Sequence, residues 1–589
     1  MKHGINGVTM CGSCHEAAQN DFESDVHRLI NLLSPNPEPS CISCHGSHDV
    51  QSGSDILSPI HPKNSPMLCG ECHQEEQEEF FRGIHHARLI QDNPDTATCT
   101  SCHTAHKVGG SDIPWSTIAR PNIAQNCGAC HIEAKNDFNR SVHAIANSRG
   151  SIHSANCIDC HDAHATLGVH EIQSPTETLN LSKHTCAECH ESVELTEMHK
   201  LSPNVVGDFE ESFHGLAGAM GDRRVANCAS CHGYHDILPS WDPNSRIHPA
   251  NLAQTCGECH EGAEGDFARG GIHHPGKGIG HWLVDFVESM YIMMIAGTIG
   301  LMMVHNALDF VRQIRDRRKG HPEVTASGKG KTYLRFTLNE RIQHWTLAWS
   351  FIVLAITGFA LKFGWAIPGL APELNEDIRA GTHRVAATVF MVLGAYHLGY
   401  LALTARGRKT VRDVLPKFKK VSDILCCLLS CERMGPPSGS DWKQLVQNVK
   451  YNLGKAKEKP KYGRFNYAEK MEYLALIWGG SLMVVTGLIL WFDVLFLNRF
   501  PYWGMQLATV VHYFEAILAT LAILVWHFYF VMISPAVFPL SKAMITGKLS
   551  REEMEHEHPL ELEEIEREET KDDAETEDTK PSSSEDERT

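Results

Sequence analysis

The apolar residues of this 589-residue chain are gathered into its second half, in five segments near Trp282–Val304, Ile342–Phe363, His383–Leu403, Tyr473–Leu497 and Val510–Ile533. Each is close to the roughly 20 residues that a helix needs to cross a bilayer, so five transmembrane helices are predicted. The basic tract RQIRDRRKG follows the first from Arg312, and RGRKTVRDVLPKFKK follows the third from Arg406. Lys and Arg collect on the cytoplasmic side. Both tracts are therefore read as inside, which places the chain before Trp282 outside and the C-terminus inside. The region before Trp282 is expected to be loop-rich with short helices and little protein core, for a reason that lies in its cysteines.

The chain has 21 cysteines and 37 histidines. Eighteen of the cysteines fall in nine Cys-x-x-Cys-His pentads: Cys11 and Cys14, Cys41 and Cys44, Cys69 and Cys72, Cys99 and Cys102, Cys127 and Cys130, Cys157 and Cys160, Cys186 and Cys189, Cys228 and Cys231, Cys256 and Cys259. This pentad reads as a c-type haem attachment site. Two thiols add to the two vinyl groups of one haem, and the adjacent histidine ligates the iron. The proximal ligands are then His15, His45, His73, His103, His131, His161, His190, His232 and His260. A terminal histidine in all nine copies sets aside disulfides and zinc as the reason for the cysteines.

The pentads repeat. Cys11 to Cys69 and Cys69 to Cys127 are both 58 residues apart, as are Cys41 to Cys99 and Cys99 to Cys157. Such an internal period marks a repeat architecture, here with two haems per unit. The interval from Cys186 to Cys256 lengthens to 70 residues, which implies an insertion near Leu195–Val206. One kind of pentad is followed about 12 residues later by a further histidine, five positions after a phenylalanine: His27, His85, His143 and, after the insertion, His214. His273 fits with one extra residue, and His274 is its neighbouring rival. The other kind reads Cys-x-x-Cys-His-x-x-His and supplies His48, His106, His164 and His235. These nine are the candidate distal ligands for nine irons. A histidine three residues past the proximal one cannot cross its own porphyrin, so it must serve a neighbouring haem. His61 and His248, both in Ile-His-Pro, are read as structural. Iron with two imidazole ligands has no open position, so the expected work is electron transfer tuned by ligands and burial.

Charge refines the ends. The formal net charge is -18, and residues 551–589 carry 18 acidic and 5 basic side chains. Residues 541–589 are therefore expected to be a solvated, disordered acidic tail. Cys426, Cys427 and Cys431 in CCLLSC are read as free thiols in a reducing compartment. No signal sequence is legible ahead of Cys11, and export needs one; either it has been removed or the true start lies upstream.

Histidine inside a membrane helix is costly and usually functional. His383 and His397 are 14 residues apart on the third span, and His512 and His527 are 15 apart on the fifth. At 1.5 Å per residue each pair covers about 21–22 Å, which suits two b-type haems near opposite membrane faces. His383 and His512 share the outer level. His344, His397 and His527 all lie towards the cytoplasm, one ligand more than the inner haem needs.

ERIQHWTLAWSFIVLAITGFAL from Glu340 and RFNYAEKMEYLALIWGG from Arg464 resemble the dihaem cytochrome b subunits of membrane formate dehydrogenases and nickel–iron hydrogenases. The resemblance covers about Thr332 to Leu540. It implies a four-helix bundle with two haems and a quinone site beside the inner one. Carried over by position, His344 and His527 hold the inner haem, His383 and His512 the outer, and His397 falls to the quinone pocket. The competing scheme pairs His397 with His527 and leaves His344 beside quinone. The fifth, leading span and the haem repeats depart from that family. By architecture and haem count the whole chain resembles the fused nonahaem-c, dihaem-b inner-membrane quinol dehydrogenases of metal-reducing bacteria.

The expected organisation is a loop-rich, mainly α multihaem cytochrome c domain fused to an all-α transmembrane bundle. Its parts are a periplasmic nonahaem domain (1–275), an anchor helix (276–311), a cytoplasmic linker (312–331), a dihaem cytochrome b domain (332–540) and the tail (541–589). The expected cofactors are nine haem c, two haem b and menaquinone. The expected function is a multi-pass inner-membrane menaquinol:cytochrome c oxidoreductase that feeds periplasmic c-type cytochromes in anaerobic or extracellular respiration. Two other readings stay open. The chain could be a membrane subunit of a hydrogenase or formate dehydrogenase complex, with further subunits as partners and electrons running into the quinone pool. A multihaem catalytic reductase would need a five-coordinate or lysine-ligated haem, and the histidine count closes all nine sites. Nothing points to nucleic acid as a partner.

Overall fold

The computed structural model describes residues 10–28, 39–201, 204–264, 273, 279–319, 331–369, 372–415 and 441–578. The chain divides into two compact units, Met1–Pro275 with Ala366–Glu376, and Gly276–Trp365 with Asp377–Thr589.

The first unit is built from helices of one to two turns. Four pentads are themselves single helical turns: Cys41–His45, Cys99–His103, Cys157–His161 and Cys228–His232. Each starts at a capping residue (Ser40, Thr98, Asn156, Asn227) paired reciprocally with Ser43, Ser101, Asp159 or Ser230 inside the pentad. One variable position of Cys-x-x-Cys thus closes a capping box, which satisfies amide groups that so short a helix would leave bare. The next residue turns sharply, with φ of +80° at Gly46, +65° at Thr104, +69° at Asp162 and +87° at Gly233. The loop that follows is fixed by a recurring asparagine. Asn64, Asn122, Asn180 and Asn251 each donate through Nδ2 to the carbonyls of two residues upstream, one of them Ser58, Ser116, Ser174 or Ser245. His61 and His248 close turns, their Nδ1 atoms accepting from the amides of Lys63 and Ala250. The insertion predicted near Leu195–Val206 holds the helix Val193–His199, then left-handed residues Lys200 and Asn204 before the helix Val205–Glu211.

The second unit contains the five predicted spans as helices Ile279–Arg318, Leu338–Phe363, Pro372–Leu403, Tyr467–Trp491 and Tyr502–Ala522. The fifth continues through two π-helical turns, Ile523–His527 and Tyr529–Ile533. All five are long and apolar enough to cross a membrane. Their outward faces are apolar, as at Leu301, Trp349, Val385 and Trp478, which suits a lipid surround. The first helix outruns its predicted span and carries Arg312–Arg318 in its last turns, because Arg and Gln extend a helix as readily as Leu does.

The expectation of a disordered tail over 541–589 is corrected for residues 543–578. Strand β1 (Thr332–Leu334) pairs antiparallel with β2 (Lys548–Ser550), Tyr333 opposite Leu549. Helices Arg551–Glu557 and Pro559–Asp578 follow. Tyr333, Leu549, Met554 and Leu562 form a buried cluster, and buried Arg335 donates through Nη1 to Glu561 Oε2 at 2.7 Å. The acidic composition hides a sparse apolar stripe, Met554, Leu562 and Ile565, that turns to one side of the two helices. Residues 579–589 and the cysteines Cys426, Cys427 and Cys431 lie outside the described residues.

Candidate redox sites

Two imidazoles that ligate one metal from opposite sides stand at a set spacing. Each metal–nitrogen bond is about 2 Å, and each nitrogen lies about 1 Å from its ring centre, so the centres fall about 6 Å apart. Eight of the nine proximal histidines face a predicted distal histidine at that spacing. His27 and His73 are 6.2 Å apart, His85 and His131 6.4 Å, His143 and His190 6.4 Å, and His214 and His260 6.1 Å. His106 and His45 are 6.0 Å apart, His164 and His103 6.3 Å, His235 and His161 6.1 Å, and His273 and His232 6.1 Å. His15 and His48 are the two of the eighteen that stand outside such a pair among the described residues; His48 Nδ1 meets Ser47 Oγ at 2.9 Å. His274 lies outside the described residues.

Every pair crosses a repeat boundary. His27, His85, His143 and His214 each face the first-kind pentad of the next unit, His106, His164 and His235 each face the second-kind pentad one unit back, and His273, in the last unit, faces the second-kind pentad one unit back. Backbone bonds set this interleaving. The amide of Val26, next to His27, donates to the carbonyl of Val108, two residues past His106. Ile84 to Thr166 and Val142 to Ile237 repeat the bond beside His85 and His164, and beside His143 and His235. Buried Asp25 fixes the first of these links: it lies 2.9 Å from His27 Nδ1 and accepts from the Val108 amide at 2.7 Å. Glu79 Oε2 lies 3.3 Å from His164 Nδ1. Such carboxylates orient an imidazole and raise its basicity as a ligand. Burial and the neighbouring His190 push His143 down to about 4, and burial and His273 do the same to His232; both rings are neutral, the form that binds metal.

The pentad cysteines form a matching chain. Within a repeat unit the short helices that carry successive pentads pack together: Ser65–Gly70 on Cys99–His103, Ile123–Cys127 on Cys157–His161, and Leu181–Cys186 on Cys228–His232. Pentads adjacent in sequence are thus adjacent in space along this unit. None of the eighteen is paired in a disulfide, and among the described residues no cluster of three His, Cys, Asp or Glu could hold a metal ion.

In the membrane unit His344 and His527 face each other at 6.2 Å. Glu472 Oε2 lies 3.3 Å from His527 Nδ1. His383 and His512 sit in matched cradles. Thr357 Oγ1 donates to the Val353 carbonyl at 2.7 Å and lies 2.8 Å from His383 Nδ1. Thr486 Oγ1 donates to the Leu482 carbonyl at 2.7 Å and lies 2.9 Å from His512 Nδ1. A hydroxyl has one hydrogen to give. With that hydrogen on the carbonyl, each threonine accepts from Nδ1–H, so Nε2 carries the lone pair available to a metal. A glycine follows each threonine: a Cβ on Gly487 would crowd His512 Cε1 at 3.3 Å, whereas one on Gly358 would make an ordinary contact with His383 Cε1 at 3.6 Å. The two Thr-Gly pairs are a signal that the sequence contained and that reading for histidines alone passes over.

His397 is placed differently. Its Nδ1 meets Gln343 Oε1 at 2.6 Å and its Nε2 meets the Tyr473 hydroxyl at 2.6 Å. Both nitrogens are occupied by these partners. Its ring stacks on Tyr400, whose hydroxyl donates to Glu340 at 3.1 Å. Arg406 also donates to Glu340, at 2.9 Å. An open apolar groove of about 1180 Å³ runs between the second and third spans past Trp345, Trp349 and Val385, and His397 is not in its wall. His305, at the end of the predicted first span, is buried, with Nε2 2.7 Å from the Tyr467 hydroxyl.

Comparison with known proteins bears on this second unit. Residues 335–547 match the family of prokaryotic cytochrome b561. The cytochrome b556(Fdn) subunit of nitrate-inducible formate dehydrogenase from Escherichia coli (strain K12) is 23% identical over 248 residues, which is 42% of this chain and 98% of that subunit. The same subunit from Escherichia coli O157:H7 and from Shigella flexneri matches to the same extent.

Proposed function

We propose, for a chain whose C-terminal half is a cytochrome b561-type membrane domain similar to a formate dehydrogenase cytochrome b subunit, that the whole is an inner-membrane menaquinol:cytochrome c oxidoreductase. The reading is carried by one observation: paired imidazoles at a two-ligand spacing recur in both units of a single chain, nine times between 6.0 and 6.4 Å. Haems bound at these pairs supply one-electron carriers with no open coordination site.

The chain's own residues do the rest. The nine pentads attach nine c haems, and His15 takes His48, the two histidines that the interleaving leaves over. His344 with His527 holds the inner b haem, and His383 with His512 the outer. Glu472 and the Thr357 and Thr486 hydroxyls hold the ligand tautomers. His397 exchanges the proton of quinol, and Gln343 and Tyr473 hold its ring in place. Tyr400 and Glu340 continue from His397 towards Arg406 and the cytoplasmic side. The first unit lies in the periplasm and hands electrons to soluble c-type cytochromes. The same array would also serve reduction of quinone by low-potential donors.

The test is turnover. The purified chain in lipid nanodiscs, given a menaquinol analogue and an oxidised soluble cytochrome c, should reduce the cytochrome catalytically with no other subunit present. Activity only with a copurified dehydrogenase subunit would favour the alternative, an anchor subunit of a larger complex.

A further inference from the structure

The first span lies wholly outside the matched family segment. It reaches the fifth span with a buried pair of ionisable groups: the Tyr291 hydroxyl donates to Glu515 Oε2 at 3.0 Å, with Tyr291 4% and Glu515 6% exposed. Glu515 lies one helical turn, about 5 Å along the axis, from His512. The fourth span makes room for it, since a Cβ on Gly479 would stand 2.4 Å from Glu515 Oε1. An ionisable group at such depth is expensive and marks a functional site.

The charged neighbourhood is sparse. From the first span only Tyr291 bonds Glu515. The fourth span presents Gly479 and, further out, Thr486 on His512. On the fifth helix itself the nearest titratable groups are His512 and Tyr513, the latter beneath Lys362 of the second span at 5.6 Å. Asp493 belongs to the short helix Asp493–Leu497 that packs on the same span. Arg379 and Arg384 of the third span act on His383. No cation bonds the Glu515 carboxyl among the described residues.

We propose that Glu515, held by Tyr291, is a redox-linked proton site: it takes up one proton when an electron reaches the outer b haem and releases it when the electron leaves. The inference rests on the His383–His512 assignment proposed above. The electron comes from quinol and converts ferric to ferrous iron. The proton comes from the aqueous phase and converts the carboxylate to the acid, so the net charge of the site is unchanged. An added negative charge within about 10 Å in a low-dielectric interior favours protonation by tenfold or more. The lone tyrosine donor stabilises the carboxylate too little to prevent it. Such a site keeps the potential of the outer haem in step with pH and spares the bilayer an uncompensated charge.

The experiment is a spectroelectrochemical titration of the b bands in the purified, fully loaded protein from pH 5.5 to 9. For one of the two b haems the redox equilibrium should change by up to tenfold per pH unit, about 59 mV for a one-electron couple. Glu515→Gln should flatten that dependence and leave the other b haem unchanged. Tyr291→Phe, which keeps the carboxyl but removes its donor, should move the pH-dependent window upward. A wild-type slope in Glu515→Gln, no slope in the wild type, or an unmoved window in Tyr291→Phe would each overturn the proposal. His512→Ala separates it from the ligand assignment. Loss of one b haem in that variant together with an unchanged slope in Glu515→Gln defeats the proton site alone, whereas retention of both b haems defeats the assignment and the proton site with it.

Discussion

Asn306 on the first span donates through Nδ2 to the carbonyl of Val525 at 2.6 Å, inside the π-helical turn that ends in His527. A π turn interrupts the regular ladder of backbone bonds and is frequent at functional sites. Here a neighbouring helix satisfies a carbonyl in that turn two residues before a proposed iron ligand. Replacing Asn306 by Leu would leave that carbonyl buried without its partner, at a cost of about 1–3 kcal/mol. The expected result is partial loss of the inner b haem, read as a fall in the ratio of b to c haem by pyridine haemochrome spectra. An unchanged ratio and an unchanged b spectrum would show that the first span does not set the position of His527.

The membrane histidines should fall into two classes. Alanine at His344 or His527 removes the inner b haem, and alanine at His383 or His512 the outer, leaving one b haem per chain in each case. Alanine at His397 should leave both in place, because both of its nitrogens are engaged by Gln343 and Tyr473. That variant should lose about 100-fold in quinol oxidation, the scale of a general acid–base group. Loss of a b haem in His397→Ala would reinstate the competing ligand scheme.

In the first unit His106 faces His45, not its own pentad histidine His103. His106→Ala should therefore keep all nine haems covalently attached, by intact mass, while one becomes high-spin in the oxidised spectrum. The haem attached at Cys41 and Cys44 is the one expected to change. Loss of a covalent haem, or an entirely low-spin spectrum, would contradict the interleaved pairing.

The helical cap at the C-terminus should respond to pH. Burial, and next the charge of Glu469, push the Glu557 carboxyl up to about 7. A carboxyl whose folded pKa is raised binds its proton more tightly in the folded state, so its cost is absent below the unfolded value near 4.5 and grows as pH rises to about 7. Burial acts on His558 in the opposite sense, holding it below its ordinary value, so it destabilises the cap only as pH falls below about 6.5. Glu557→Gln should therefore protect residues 543–578 from proteolysis at pH 8 and make no difference at pH 4.5. Equal protection at both values would show that Glu557 is not buried in its charged form.

Much of this was legible in the sequence because the chemistry imposes spacing. Nine pentads and nine recurring histidines mark the candidate ligand pairs of the proposed haem sites without any fold. The five spans follow from length and composition, and their helices lie where the apolar runs placed them. Which histidine serves which pentad was less legible. The partner of His73 is His27, 46 residues earlier, and its placement depends on a backbone bond from Val26 to Val108 that has no sequence signature. The cap was hidden for a different reason. Its apolar residues are few, and composition averages them away, although Met554 is the most deeply buried large side chain described. The Thr-Gly cradles of His383 and His512 show a third case, in which the signal was present in two copies and becomes readable only once the helices are side by side.

The proposed function requires a single conducting path from quinol in the membrane to the proposed c haems outside. Rapid mixing of the oxidised, purified protein with a menaquinol analogue, with b and c absorbance followed separately, tests it most directly. Reduction of the b bands should precede that of the c bands, and His397→Ala should slow both together. Reduction of the c bands while the b bands stay oxidised would contradict the account.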